Sequence, residues 1–74
     1  MHPKLKQTIS EVLGVDPGLV NEDSSVDTLA EWDSLRHMNL IFALEDAFGI
    51  RFGDEEVAQL TSVAALQAAI ADRN

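Results

Sequence analysis

Cysteine is absent from this chain of 74 residues, which excludes disulfide bonds and metal sites built from thiolates. Basic residues are few: five Lys and Arg stand against thirteen Asp and Glu, giving a formal net charge of −8. Nucleic-acid binding is therefore disfavoured, because phosphate neutralisation needs clustered cations. No apolar run is long enough to cross a bilayer. The N-terminus has no basic-then-apolar leader. We therefore expect a cytoplasmic protein that does not bind membranes.

Apolar residues nevertheless make up 46% of the chain, which excludes a disordered polypeptide. The length predicts a single domain, residues 1–74, and we expect it to be a monomer. A domain of this size buries only about 60% of its unfolded surface, which leaves little room for an enclosed active site. The charged termini and the complete set of predicted helices favour a free-standing chain.

The negative charge is concentrated between residues 21 and 34. This stretch has no Lys or Arg and holds five acidic residues, Glu22, Asp23, Asp27, Glu31 and Asp33. Such a surface speeds encounters with basic partners, although plain solvation explains charge runs equally well. The spacing of Asp23 and Asp27 superficially suggests a calcium loop, but the required glycine and distal bidentate glutamate are missing. We therefore predict no metal site.

Helical periodicity accounts for most of the chain. The first helix is predicted from Pro3 or Lys4 to Leu13, with one buried face and Gly14 as its stop. His2 is expected to be frayed and without a role. The second helix is predicted from Ser34 to Phe48, again stopped by a glycine. Its apolar residues fall into two stripes, one containing Leu40, Ile41, Leu44 and Phe48, the other Leu35, Met38 and Phe42.

A long connection, residues 16–33, separates these two helices. Asp16-Pro17-Gly18 is a turn signal, and four apolar residues are spaced to pin the loop to the helices: Leu19, Val20, Val26 and Leu29. Trp32 is expected to be half-exposed, with its N–H in water. Asp54 is predicted to cap a short third helix reaching about Gln59, and Ser62 to cap a fourth from Val63 to about Asp72. These elements predict an all-α fold, a four-helix bundle with a long first loop and a short third helix.

The start of the second helix carries the most specific chemistry. Asp33 is a good N-cap, which makes Ser34 the first helical residue. The Ser34 hydroxyl then lies at the positive end of the helix dipole, beside backbone N–H groups that have no partner within the helix. An anion attached to that oxygen, such as a phosphodiester, would be stabilised there.

The same residues resemble the modification-site helix of acyl carrier proteins. The match consists of Asp33-Ser34-Leu35, Leu40, Ala43-Leu44-Glu45 and Phe48, and it extends to Asp54-Glu55-Glu56 and Thr61-Ser62-Val63. The resemblance implies a bundle of acyl-carrier type. It also implies 4′-phosphopantetheine attached to Ser34, flanked by Asp33 and Leu35. A separate phosphopantetheinyl transferase would transfer the group from coenzyme A. Because the chain lacks cysteine, the thiol that holds acyl groups would belong to this prosthetic group. The protein itself would then have no catalytic residues and would not be an enzyme.

The second apolar stripe of the predicted second helix begins beside Ser34, and we interpret it as a docking face for partner enzymes. It contains an adaptable methionine and is edged by polar residues. The alternative is that the stripe packs under the long loop. The predicted docking residues are Leu35, Arg36, Met38, Asn39, Phe42, Glu45 and Asp46.

The resemblance also implies that the core accepts part of the acyl chain between helices two and three. The residues expected to line this acyl pocket are His37, Leu44, Phe48, Phe52 and Leu60. The implied partners are acyl-activating and acyl-transferring enzymes.

Two departures from the pattern of fatty-acid carriers point to a specialised pathway. Those carriers usually have acidic residues where this chain has Arg36 and Asn39, and Gly followed by a small or hydrophobic residue where it has Glu31-Trp32. Three interpretations of Arg36 stay open: its side chain is solvated, it contacts a phosphate on Ser34, or it selects a partner with an acidic group. The cargo stays open among fatty acyl, polyketide, aryl and aminoacyl or peptidyl groups.

Two other functions compete with the carrier. The first is an unmodified acidic helical module for protein interaction. The second is a small hydrolase in which His37, three residues from Ser34 on the helix, would act as its base. The hydrolase is the weakest, because the sequence specifies neither an orienting acid nor an oxyanion hole.

Overall fold

The computed structural model describes residues 1–73, which form four α-helices and one short 3₁₀ turn. The helices are α1 (Pro3–Leu13), α2 (Ser34–Phe48), α3 (Asp54–Val57) and α4 (Val63–Arg73), with the 3₁₀ turn at Pro17–Leu19. This confirms the all-α prediction with a long first connection and a short third helix. No helix within residues 1–73 combines the length and the apolar character that a membrane crossing requires.

Both predicted glycine stops are confirmed. Gly14 and Gly49 follow α1 and α2 in the left-handed conformation, with φ of 68° and 65°. A side chain in that conformation would bring Cβ close to the following carbonyl oxygen, so glycine is favoured. The N–H groups of Gly14 and Gly49 bond back to the carbonyls of Ser10 and Glu45, which closes the last turn of each helix.

The helices pack their predicted apolar faces into one core. Its fully buried side chains come from every long helix and from the first loop: Leu5, Ile9, Leu13, Val20, Leu40, Ile41, Leu44, Val63 and Leu66. The stripe Leu40–Ile41–Leu44 therefore serves the core, as predicted. In the long loop, Val26 and Leu29 also pack against this core, whereas Leu19 is exposed and its predicted pinning role is wrong.

The long loop is fastened to the start of α4 by two backbone hydrogen bonds. The Val26 N–H donates to the Thr61 carbonyl at 3.0 Å, and the Val63 N–H donates to the Ser24 carbonyl at 2.9 Å. Ser25 and Ser62 thus form an isolated antiparallel bridge. This bridge fixes the loop that leads to Ser34, and no local pattern in the sequence predicts it.

Two predicted helix boundaries are wrong. Gly53, rather than Asp54, is the N-cap of α3, and its N–H donates to the Glu56 carboxylate at 3.1 Å. Asp54 is instead the first helical residue, and α3 ends at Val57 rather than near Gln59. Three acidic residues in the first turn favour the helix electrostatically, but a helix of one turn owes its stability to tertiary contacts.

The expectation that His2 is frayed and without a role is wrong. Its Nδ1 accepts the Lys4 N–H at 3.1 Å and caps α1, while its ring lies edge-on to Phe48 at 5.4 Å between centroids. Lys4 in turn donates from Nζ to the Ala47 carbonyl at 2.9 Å, near the end of α2. The start of α1 and the end of α2 are joined by these contacts.

Candidate functional site

The N-terminus of α2 has the geometry predicted from the sequence. Asp33 is extended, and its carboxylate accepts the Arg36 N–H at 2.8 Å while its carbonyl accepts the His37 N–H at 2.8 Å. Ser34 follows as the first helical residue and is exposed to solvent. The N–H groups of Ser34 and Leu35 precede the first i→i−4 bond of the helix. The Ser34 oxygen is thus accessible and lies beside a partial positive charge.

Two open clefts meet at Ser34. The first has a volume of about 430 Å³ and lies between α2 and α3, bordered by Met38, Asp54, Val57 and Ala58. The second has a volume of about 350 Å³ and lies toward the long loop and the start of α4, bordered by Val26, Trp32, Asp33 and Thr61. Ser34 and His37 border both. A flexible group attached to Ser34 therefore has two partly apolar surfaces on which to lie.

Trp32 differs from the prediction. The residue is buried, only 3% exposed, and its N–H is not in water: Nε1 donates to His37 Nδ1 at 3.0 Å. On the other side of the imidazole, His37 Nε2 lies 2.9 Å from the Val57 carbonyl oxygen. His37 is thus partly buried and hydrogen-bonded through both ring nitrogens. The sequence does carry a signal for this pairing: the indole of Trp32, which can only donate, lies five residues before His37 on the core side of the helix.

These contacts bear on the hydrolase alternative. A base for Ser34 requires a free ring nitrogen on His37 that faces the hydroxyl. Both ring nitrogens of His37 are instead engaged by Trp32 and Val57. The arrangement supplies no base for attack by the Ser34 oxygen.

The Arg36 guanidinium folds back over the helix N-terminus. Its Nη1 lies 3.3 Å from both the Glu31 carbonyl oxygen and Asp33 Oδ2. The side chain is about half exposed, so it is neither free in solvent nor sequestered. The positive charge that the helix dipole disfavours at this end is offset by the Asp33 carboxylate. This places a cation within one helical turn of Ser34.

Comparison with known proteins identifies the family. A family model described as "Phosphopantetheine attachment site" matches residues 3–70. A protein named "Acyl carrier protein" from Bdellovibrio bacteriovorus is 41% identical over 64 residues, covering 85% of this chain and 81% of its own. Another of the same name from Solidesulfovibrio magneticus is 43% identical over 61 residues, covering 81% and 77%. The chain belongs to the acyl carrier protein family. Its cofactor is therefore 4′-phosphopantetheine.

The residues around Ser34 fit the cofactor of this carrier family. A phosphodiester on the exposed hydroxyl would face the N–H groups of Ser34 and Leu35 at the helix N-terminus, with the Arg36 cation nearby. The pantetheine portion would extend into either cleft. The group would supply the thiol that this cysteine-free carrier chain lacks.

The second apolar stripe of this carrier's α2 faces solvent. Leu35, Met38 and Phe42 are 73%, 42% and 60% exposed, so the alternative that they pack under the long loop is wrong. Asn39 and Asp46 are exposed beside them. The stripe begins one residue after Ser34 and runs along two turns of the helix.

Glu45 has contacts of its own at the edge of this stripe. One carboxylate oxygen accepts the Phe52 N–H at 2.9 Å, and the other lies 3.6 Å from the Arg51 guanidinium. The side chain is therefore directed at the segment after α2. The contribution of Glu45 to docking stays a prediction, because a docking partner would compete with Phe52 and Arg51 for its carboxylate.

The residues expected to line an acyl pocket in the carrier do not share one cleft. His37 is the only one of the five that borders the clefts at Ser34. Leu44, Phe52 and Leu60 are buried in the core. Phe48 borders a separate cleft of about 250 Å³ with His2, Leu5 and residues of α4. Their contact with an acyl chain stays a prediction that requires the bundle to open.

Proposed function

We propose that this protein carries acyl groups as thioesters on 4′-phosphopantetheine attached to Ser34 and presents them to successive enzymes without itself catalysing a reaction. The observation that carries the proposal is the exposed Ser34 hydroxyl at the capped N-terminus of α2, where two clefts meet. Family membership supplies the cofactor, and the exposure of Ser34 at the helix start supports its hydroxyl oxygen as the attachment atom.

Attachment requires a phosphoryl transfer that the chain cannot perform alone. The Ser34 oxygen forms a bond to the coenzyme A phosphorus that bears pantetheine, the pyrophosphate bond breaks, and the adenine nucleotide leaves with the bridging oxygen. The hydroxyl proton passes to a base of a phosphopantetheinyl transferase. Such an enzyme supplies positioning and charge neutralisation, usually with Mg²⁺. In this chain, Asp33 caps the start of α2, and Ser34 presents its hydroxyl oxygen to the transferase.

The partners are the transferase and acyl-activating or acyl-transferring enzymes with a basic surface around an apolar pocket. Leu35, Met38 and Phe42 provide the apolar contact. The loop from residue 21 to Asp33 provides the complementary negative charge, which raises the rate of encounter. Arg36, paired to Asp33, distinguishes this surface from a uniformly acidic one and supports a dedicated biosynthetic pathway, for example of a fatty acyl, polyketide or aminoacyl product.

Intact mass tests the proposal directly. The purified protein is incubated with coenzyme A, Mg²⁺ and a broad-specificity phosphopantetheinyl transferase. We expect a gain of about 340 Da, the mass of the phosphopantetheine group, on a single residue. Ser34→Ala should show no gain, and Ser62→Ala, which changes the serine that caps α4, should gain as the wild type does.

An unmodified interaction module is the alternative outcome. It predicts no mass gain in the wild-type protein, while a folded helical spectrum is retained. A gain that persists in Ser34→Ala would also contradict the proposal, because it would assign the attachment to another residue.

A further inference from the structure

A hydrogen-bonded bridge connects the loop before Ser34 to α3 through the side chain of His37. The indole of Trp32 can only donate, so His37 Nδ1 must be the acceptor of the 3.0 Å bond. The Val57 carbonyl can only accept, so His37 Nε2 must carry the proton of the 2.9 Å bond. The two partners therefore select one neutral tautomer of the imidazole, with its proton on Nε2.

The bridge lies between Ser34 and the core. His37 is three residues after Ser34 on α2, and the fully buried Leu40 and Leu44 follow it by three and seven residues on the same side of the helix. The bond to Val57 spans the gap from α2 to α3. A chain that leaves Ser34 along this gap meets the His37–Val57 bond before it reaches Leu44.

The two ends of the bridge differ in how readily they open. The Val57 carbonyl also accepts the Leu60 N–H at 3.2 Å, so it keeps a partner when His37 is removed. The Trp32 N–H is buried and has His37 as its partner, so breaking that bond would leave a donor unsatisfied. The bond to Val57 is therefore the less costly of the two to break.

We propose that His37 determines which cargo enters the bundle: its bond to Val57 keeps short or polar acyl groups in the clefts beside Ser34, and admits a longer alkyl chain to the core only when α3 moves away. This inference rests on the function proposed above. The clefts of about 430 and 350 Å³ offer space for a short acyl group outside the core. His37 acts here on specificity and takes no part in attachment.

Nuclear magnetic resonance of matched loaded proteins tests the proposal. The protein is loaded with hydrolysis-resistant butanoyl and octanoyl pantetheine amides, and the methyl shifts of Leu40 and Leu44 are compared between the two. In the wild type we expect the octanoyl form to shift the core methyls and the butanoyl form to leave them unchanged. In His37→Met, which has similar bulk but no N–H, we expect the butanoyl form to shift them as well. Equal responses of wild type and His37→Met would overturn the proposal.

A conservative variant separates the hydrogen bond from side-chain volume. The amide of His37→Gln can donate to the Val57 carbonyl, so this variant should restore the wild-type response. If it does not, while its circular dichroism spectrum is normal, the bond to Val57 is not what controls entry. On the unloaded wild-type protein, imidazole ¹⁵N shifts should show the proton on Nε2, and a proton on Nδ1 would refute the bridge. Absence of any mass gain would instead contradict the attachment at Ser34, a result that the tautomer measurement does not depend on.

Discussion

Asp33 makes two separable contributions at the start of α2. One carboxylate oxygen accepts the Arg36 N–H and caps the helix, while the other pairs with the Arg36 guanidinium. The pair is about half exposed on both sides, so solvent screens it and its contribution to stability is small. The cap stabilises the helix more than the ion pair does, because it satisfies a backbone donor that has no partner in the helix.

We predict that Asp33→Ala lowers the free energy of unfolding by about 1 kcal/mol, the usual effect of losing an N-cap. Asp33→Asn removes the charge but keeps a side-chain acceptor, so its free energy of unfolding should stay within about 0.5 kcal/mol of the wild type. Urea denaturation of the three proteins measures both values. Equal losses in the two variants would mean that the ion pair, rather than the cap, is the stabilising contact.

Substitution of one exposed side chain, Met38, tests the proposed docking face. Because Met38 is 42% exposed, Met38→Glu should change the free energy of unfolding by no more than about 0.5 kcal/mol. The added charge should weaken binding to the transferase by about 1–2 kcal/mol, roughly tenfold in Kd, if the residue enters an apolar pocket of the partner. Thermal unfolding and titration calorimetry measure these two effects.

Ala64→Glu is the matched control for Met38→Glu, since Ala64 is exposed on α4 and the change introduces the same charge. It should leave binding unchanged. Unfolding of Met38→Glu would assign Met38 to the core. Equal weakening of transferase binding by both variants would show that the effect comes from the added net charge rather than from the docking face.

At the scale of the element, the termini of the long helices are determined by local chemistry. Gly49 ends α2 with φ of 65°, and a Cβ at this position would meet no other atom within 4 Å, so space is not the constraint. The constraint is the left-handed backbone itself, which costs a residue with Cβ about 1–2 kcal/mol. The Ile50 N–H also bonds back to the Glu45 carbonyl at 3.1 Å, which completes the end of the helix.

We therefore predict that Gly49→Ala lowers the free energy of unfolding by about 1 kcal/mol. Gly49→Asn should lose less, because asparagine tolerates the left-handed conformation better than other residues with a side chain. Chemical denaturation of both variants distinguishes the backbone effect from a packing effect. A packing effect would make the larger asparagine the more destabilising of the two.

At the scale of the whole molecule, the C-terminal helix is fastened to α3 and to the segment before it. Arg73 donates to the Glu56 carboxylate and, through Nε, to the Arg51 carbonyl at 3.0 Å, and its guanidinium lies over the Phe52 ring at 4.8 Å. The hydrogen bond from Arg73, together with that from the Gly53 N–H, lowers the pKa of Glu56 below its ordinary value. Together with the bridge from His37 to the Val57 carbonyl, this pair holds the last two residues of α3.

The lowered pKa of Glu56 predicts a dependence of stability on pH. A carboxyl group whose pKa is lower in the folded state stabilises the fold above its unfolded pKa, and this contribution is lost as the pH falls through the folded value. Glu56→Gln keeps an acceptor for the Gly53 N–H but has no charge. Wild type should therefore be more stable than Glu56→Gln at neutral pH. The difference should begin to shrink near the ordinary glutamate pKa of about 4.3 and vanish once the pH falls below the lowered pKa of the folded state. Thermal unfolding across that range measures it, and a difference that persists in acid would contradict the assignment.

The sequence by itself determined the long helices, the Asp33 cap of α2, the glycine stops of α1 and α2, the core face of α2 and the exposure of Ser34, because each depends on residues within a turn or two of one another. Periodicity and capping act over that range, and Asp33, Gly14 and Gly49 therefore do what their positions predict. The tertiary structure alone decided the burial of Trp32, the bond from His37 to Val57, the contact of His2 with Phe48 and the bridge from Ser25 to Ser62. These contacts join residues brought together by packing of the core, and hydrogen-bond partners across a fold follow from the relative placement of whole helices, which no short pattern encodes.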